Sequence, residues 1–386
     1  MVGRCVANGL SGVIGFALSA LLSMSALAGT IELVGQLDPV AGVDIYGDVW
    51  GEGDYAYVGV WGGTGVFIID VSDPASPSLV STYIPTTGTG LFKDVKVYDG
   101  VGYFADDDGD GVHIVDVSTP ATPTLLAKIT RADGGFDSVH NLSKFGNYLY
   151  LADGYTDTVK IFDMSSPASP LFVRELVTPN HGGIHDVTAL GTRLYVSDIW
   201  YGSTYIYDIS AIEISAPPLL GTVSSGDWSH SSWASSDGTI LVTAQEDDDG
   251  KVQIFDISIP ALPVLLSTID RTSLGINAVS PHNPVLFDDT LLFVSWYEAG
   301  VVVIDISNPS DPIKLGHYDT YLTGPHNYNG NWGVYPFLGL DRVLLSDLQG
   351  GLYVMDVTDL PEPGLGLQLA VGLGFLFGVG RRRMRR

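Results

Sequence analysis

At 386 residues the chain can hold two or three average domains or one large all-β unit. It has 47 glycines, 21 prolines and 16 % charged residues, and its formal net charge of −26 argues against nucleic acid or an anionic membrane surface as a partner unless a cation bridges them. Val, Ile, Leu, Tyr and Thr are abundant and helix-forming Lys/Glu/Gln/Ala runs are absent, so the composition favours strands and tight turns.

Residues 1–28 read as a secretory signal, with Arg4 as the positive start, an apolar stretch over 9–24 and Ala26-Leu27-Ala28 as a small-x-small cleavage site. An uncleaved anchor is the alternative. Cys5 is the single cysteine, so the mature chain has no thiol to oxidise after export and core packing must hold the fold. The next segment, "TIELVGQLD" from Thr30, matches strand phrases found much later, such as "PSLVSTY" and "PIKLGHY".

An apolar-Asp phrase then recurs seven times: "FIIDVSDP" (Asp70), "HIVDVSTP" (Asp116), "KIFDMSSP" (Asp163), "YIYDISAI" (Asp208), "QIFDISIP" (Asp256), "VVIDISNP" (Asp305) and "YVMDVTDL" (Asp356). Regular spacing near 45 residues with several short strands per unit marks a propeller blade. The fourth unit reads as four strands: "HDVTAL", "RLYVSD", "TYIYDIS" and "PLLGTV". The aspartates are expected to hydrogen-bond to their own turns through the following Ser or Thr, and the prolines beyond them stop the strand. The last unit lacks a fourth strand, which residues 30–37 supply. The expected fold is all-β, a seven-bladed β-propeller over 29–360 whose ring is closed by the mature N-terminal strand.

At the far end, Pro361-Glu362-Pro363 precedes an apolar run over 364–380 and the basic cluster "RRRMRR". The run is barely long enough to span a bilayer as a helix, and the arginines behind it would stay on the cytoplasmic side. Six of the 18 basic residues lie in these end segments, which leaves 12 for the body of a chain with 44 acidic residues.

Three resemblances follow. "FIIDVSDP" and "HIVDVSTP" look like LVIVD repeats, which would cover essentially all of 30–358. "SHSSW" together with "NWGVYPF" and "VLLSDLQGGLYVMDV" is similar to the choice-of-anchor B family, which implies a surface or extracellular protein and no established reaction. Residues 361–386 resemble a PEP-CTERM sorting signal of Gram-negative bacteria, which implies processing by an exosortase-like enzyme after transient anchoring in the inner membrane. A plain C-terminal anchor is the alternative, and it too leaves the body outside that membrane.

Aligned by blade, one slot just before the innermost strand holds Gly47, Lys93, His140, His185, His230, His282 and His326, so five of the eight histidines share it. The next residue is Asp48, Asp94, Asn141, Asp186, Ser231, Asn283 or Asn327. The same face should receive Asp106, Asp153, Asp198, Glu246 and Asp347 from the ends of the second strands. Two arrangements satisfy this pattern. Each histidine pairs with a carboxylate inside its own blade, as in WD-repeat propellers, or the imidazoles and Asp186 gather on the axis around a transition metal or a small anion. Metal-holding histidines in carotenoid oxygenases and oligogalacturonate lyases support the second by fold analogy alone.

"DDDGDG" at 106–111 supplies Asp106, Asp108 and Asp110 at alternating positions, as at the start of a calcium loop, although Val117 stands where an EF-hand has Glu. Solvated hairpin turns explain it equally. Trp61, Trp200, Tyr201, Trp296 and Tyr297 follow second strands and either stack on sugars or pack between blades. No Gly-rich phosphate loop, G-x-S-x-G elbow or H-E-x-x-H pair is present. The expected function is a non-enzymatic binding module exported to the envelope or cell surface, with a glycan, protein or ion as its partner. The alternative is a metal-dependent hydrolase or lyase that attacks extracellular polysaccharide with the axial histidines.

Overall fold

A computed structural model describes residues 29–40, 46–62, 65–86, 90–107, 111–136, 138–154, 156–180, 182–322 and 328–362. The signal segment 1–28, the apolar and basic parts of the tail, Asp108, Asp110 and His326 lie outside them.

Among the described residues, twenty-eight strands form seven antiparallel sheets of four, and two four-residue helices, Arg131–Gly134 and Arg271–Leu274, sit in connections between blades. Within a blade the strands follow chain order from the axis outwards. The innermost strands are Tyr46–Glu52, Phe92–Tyr98, Val139–Phe145, Ile184–Leu190, Ser229–Ala234, Pro284–Phe287 and Asn331–Tyr335. Successive inner strands pack side by side around one axis, with Asn331–Tyr335 meeting blade six through its second strand, Leu291–Ser295. Second and third strands are sandwiched between adjacent blades, so both of their faces are buried. That explains why "YVGV", "VFIID" and "VVVID" are unbroken apolar runs and not alternating ones. Burial of Val58, Ile68 and Val303, each 1 % exposed or less, contributes roughly 1.5–3 kcal/mol per side chain.

The ring closes as expected. Glu32–Leu37 pairs antiparallel with Gly351–Asp356, from Glu32 opposite Asp356 to Leu37 opposite Leu352. Ile31 and Leu37 tuck against the cores on either side, while Leu33 points to solvent.

All seven turn aspartates do what their sequence implies. Asp70 accepts from the Ser72 amide (2.8 Å) and hydroxyl (2.6 Å), and Asp116, Asp163, Asp256 and Asp356 repeat both bonds. Asp208 and Asp305 make the amide bond. These turns dock onto the preceding blade. A Cβ on Gly35 would meet the Pro74 carbonyl oxygen at 2.2 Å, and one on Gly221 would meet that of Pro260 at 1.7 Å. At the equivalent place in other blades a serine fits, and Ser81 and Ser267 donate to the carbonyls of Pro120 (2.5 Å) and Pro309 (2.7 Å).

Candidate functional site

The slot lies inside the inner strand, at a break in its pairing. Val139 pairs with Asp153, but the next register pair is Asn141 with Ala152, so His140 has no partner. The same slip leaves out Lys93, His185, His230 and Trp332 in their strands. A bulge of this kind turns its extra side chain away from the sheet, and here that direction is the axis. His282 reaches the same place from just ahead of its strand, held by its amide on the Ser295 carbonyl at 2.8 Å.

The result is a ring of rings. Centroids lie 4.2 Å apart for His140 and His185, 4.1 Å for His185 and His230, 4.3 Å for His230 and His282, and 4.4 Å for His282 and Trp332. Trp61 follows at 5.5 Å from Trp332, and the Lys93 ammonium sits 4.3 Å over Trp61. Asp107 closes the circle: it pairs with Lys93 and lies 3.5 Å from His140 Nδ1. Burial opposes its ionisation, but His140 and Lys93 outweigh that and hold the Asp107 carboxyl well below its usual range.

Blade seven therefore contributes Trp332 to the slot, where His326 was expected. "PHNYN" resembles the other His-Asn pairs, but the distance to the second strand decides otherwise. His140 and His185 stand thirteen residues before Asp153 and Asp198, and Trp332 stands fifteen before Asp347, against twenty-one for His326. That spacing was the signal.

The carboxylates also divide differently from expectation. Asp106 accepts from the Gly90 amide at 3.1 Å, Asp198 from the Tyr201 amide and the Tyr205 hydroxyl at 3.2 Å each, and Asp347 from the amides of Gln349 (3.0 Å) and Gly350 (2.8 Å). These three brace loops. Glu246 instead joins the imidazoles, 3.5 Å from His230 Nε2 and 4.0 Å from His282 Nε2, with the Tyr297 hydroxyl donating to it. Donor atoms of His185, His230 and Glu246 all lie within 4.8 Å of one another. Of the proposed calcium loop only Asp106 is described, so that expectation rests on sequence.

Burial, and then the neighbouring imidazoles, drive His185 and His230 well below the ordinary histidine value, and His282 is lowered by burial as well. All three are neutral near pH 7. His282 Nδ1 lies 2.7 Å from the Trp332 carbonyl, which can only accept, so the proton is on Nδ1 and Nε2 keeps its lone pair. The Nδ1 atoms of His185 and His230 are buried without a hydrogen-bond partner, a cost of about 1–3 kcal/mol each. Ligands of a tetrahedral zinc at ~2.1 Å stand roughly 3.4 Å apart. The His230–Glu246 separation of 3.5 Å meets that, and His185 offers its donor atom within 4.8 Å of both.

One residue further along each strand lies a second layer. The Leu142 amide donates to Asp94 (2.7 Å), the Val187 amide to Asn141 (3.1 Å), and Ser231 donates to the His282 carbonyl (2.8 Å). These side chains stitch each inner strand to the next. Asp186 belongs to this layer and is not among the three groups whose donor atoms converge. Below it the channel widens into a cavity of about 360 Å³, against about 20 Å³ at the imidazole ring.

Of the rim aromatics, Trp296 and Tyr297 are buried, whereas Trp200 (62 % exposed) and Tyr201 (53 % exposed) face solvent.

Family comparison bears on the repeat itself. The LVIVD repeat model matches residues 46–84, 89–130, 138–178 and 292–320. Four of the blades carry LVIVD repeats. Three of the matches span blades one to three entire, and the fourth takes in the outer three strands of blade six. No curated protein matches the chain. Among solved structures, the WD40 β-propeller domain of Doa1 aligns with a TM-score of 0.62 at 13 % identity, over 85 % of this chain and 97 % of that one. The computationally designed Ika8 protein aligns at 0.57 with 12 % identity over 84 % and 100 %, and a putative 6-phosphogluconolactonase from Bacteroides uniformis at 0.57 with 13 % identity over 76 % and 88 %. At such identities these likenesses speak for the propeller fold alone.

Proposed function

We propose that this LVIVD-repeat propeller is an exported, envelope-associated binding module that holds one transition-metal ion in its axial ring and presents the adjoining face to a glycan or protein. The observation that carries it is the meeting of His185, His230 and Glu246, whose donor atoms all lie within 4.8 Å of one another. Two neutral imidazoles and a carboxylate suit zinc and its first-row neighbours. The exposed Trp200 and Tyr201 on the same rim offer stacking faces. Export is supported by the signal-like residues 1–28, and surface sorting by the PEP-CTERM-like tail and the likeness to the choice-of-anchor B family.

Size argues for binding over catalysis. The space of about 20 Å³ within the ring admits an ion or one water and not a sugar ring, so a metal-dependent hydrolase or lyase would have to work wholly from the rim. Elemental analysis of the 29–360 body purified from an export compartment tests the proposal. About one transition-metal equivalent per chain is expected, released by the pair His185→Ala and His230→Ala with the propeller still folded. A wild-type body that neither carries nor takes up Zn, Mn or Fe at neutral pH overturns it. Turnover of a uronic-acid polymer, lost on His185→Ala, would make the chain an enzyme instead.

A further inference from the structure

The end of the channel opposite the imidazole ring has a different chemistry. Its cavity of about 360 Å³ lies within the size range of small-molecule sites. One wall is a chain of aromatic rings drawn from four blades: Tyr98 lies 5.2 Å from Trp50, Trp50 4.7 Å from Tyr335, Tyr335 5.3 Å from Phe337, and Phe337 stacks on Trp233 at 5.8 Å with 24° between planes. Phe337 and, across the cavity, Phe145 are 41 % and 44 % exposed and rim the mouth.

The floor is unbalanced in charge. Three carboxyl groups, Asp48, Asp94 and Asp186, border the cavity or stand directly beneath it, against two ammonium groups, Lys96 and Lys144, the second of which donates to the Gly146 carbonyl at 2.8 Å. Lys96 is spent on two of these: its Nζ lies 2.7 Å from Asp48 and also bonds Asp94. Asp94 has in addition the Leu142 amide. Asp186 faces the cavity with no ion pair among the described residues. A carboxyl group so enclosed gains from a cation beside it, and its hydrogen-bond donor is the Val187 amide of its own strand.

We propose that this cavity binds a primary organic amine, with the ammonium on Asp186 and the apolar body along the Trp50–Tyr335 wall. The aromatic faces favour a cation passing over them, as Lys96 already does at 5.2 Å from Trp50. A net charge of −26 draws cations towards both mouths. An anionic ligand would meet three carboxyls against two ammonium groups, and a neutral apolar one would leave Asp186 as it is.

The test is calorimetric titration of the chelator-treated 29–360 body with phenethylamine and with 2-phenylethanol, its neutral counterpart, so that the outcome is independent of any metal in the ring. Phenethylamine should bind at least tenfold tighter. Asp186→Asn should abolish most of that preference and leave the alcohol's affinity unchanged, and Trp50→Leu should weaken both probes. Should Asp186→Asn fail to fold, the wild-type preference and the Trp50→Leu loss still decide. Equal binding of the two probes, or no binding of phenethylamine at millimolar concentration, overturns the proposal, as does a preference that survives Asp186→Asn.

Discussion

His282 Nδ1 lies 2.7 Å from the carbonyl oxygen of Trp332, across the boundary between blades six and seven. A single bond thereby sets the tautomer of one imidazole, aims its other nitrogen at Glu246 and ties two blades together.

Replacing His282 by Leu should therefore act on stability before anything else. The Trp332 carbonyl would be left buried and unbonded, at a cost of about 1–3 kcal/mol. Urea unfolding of the metal-free protein should show a lower midpoint with an unchanged slope. A midpoint equal to wild type would mean that water or a shifted neighbour replaces the bond.

Acid should weaken the metal-free propeller through its ring. His185 and His230 have folded-state values depressed well below 6.5, mainly by burial. The unfolded chain therefore takes up protons first. Stability is complete above about pH 6.5 and falls as pH drops from there towards the depressed folded values. The double variant His185→Ala, His230→Ala should lose much of that slope between pH 6.5 and 5. An unaltered slope in thermal melts would place the acid sensitivity elsewhere.

Deletion of residues 30–37 should open the ring. It removes the pairing of Glu32–Leu37 with blade seven and the partial burial of Ile31 and Leu37. At roughly 1 kcal/mol per hydrogen bond the loss is a large part of a domain's stability, and it exposes a sheet edge. Circular dichroism should show a melting temperature many degrees lower, with aggregation. A melt within a few degrees of the intact body would mean the edge closes without this strand.

For the tail, the expectation is processing. Mature protein from a host with an exosortase-like enzyme should lack the residues after Pro361-Glu362-Pro363, and in a host without one it should stay in the inner membrane. Detection of the "RRRMRR" end in the intact mass of the native mature form would leave a plain anchor.

Local chemistry was written in neighbouring residues and could be read directly. The interval between Asp70 and its six counterparts set the blade count, the missing partner of Gly351–Asp356 pointed to residues 30–37, and each Asp-x-Ser or Asp-x-Thr pair announced its own turn. The concentration of histidines at one slot was equally plain. What the tertiary structure decided is which groups face each other across the axis. A one-residue slip in strand pairing sends a side chain to the other face of a sheet. No local pattern shows that His140, His185 and His230 sit at bulges, or that Asp107 turns inward while Asp106 braces a loop. Ring and cavity alike draw their side chains from several blades, and only closure of the seven blades about a common axis brings these together.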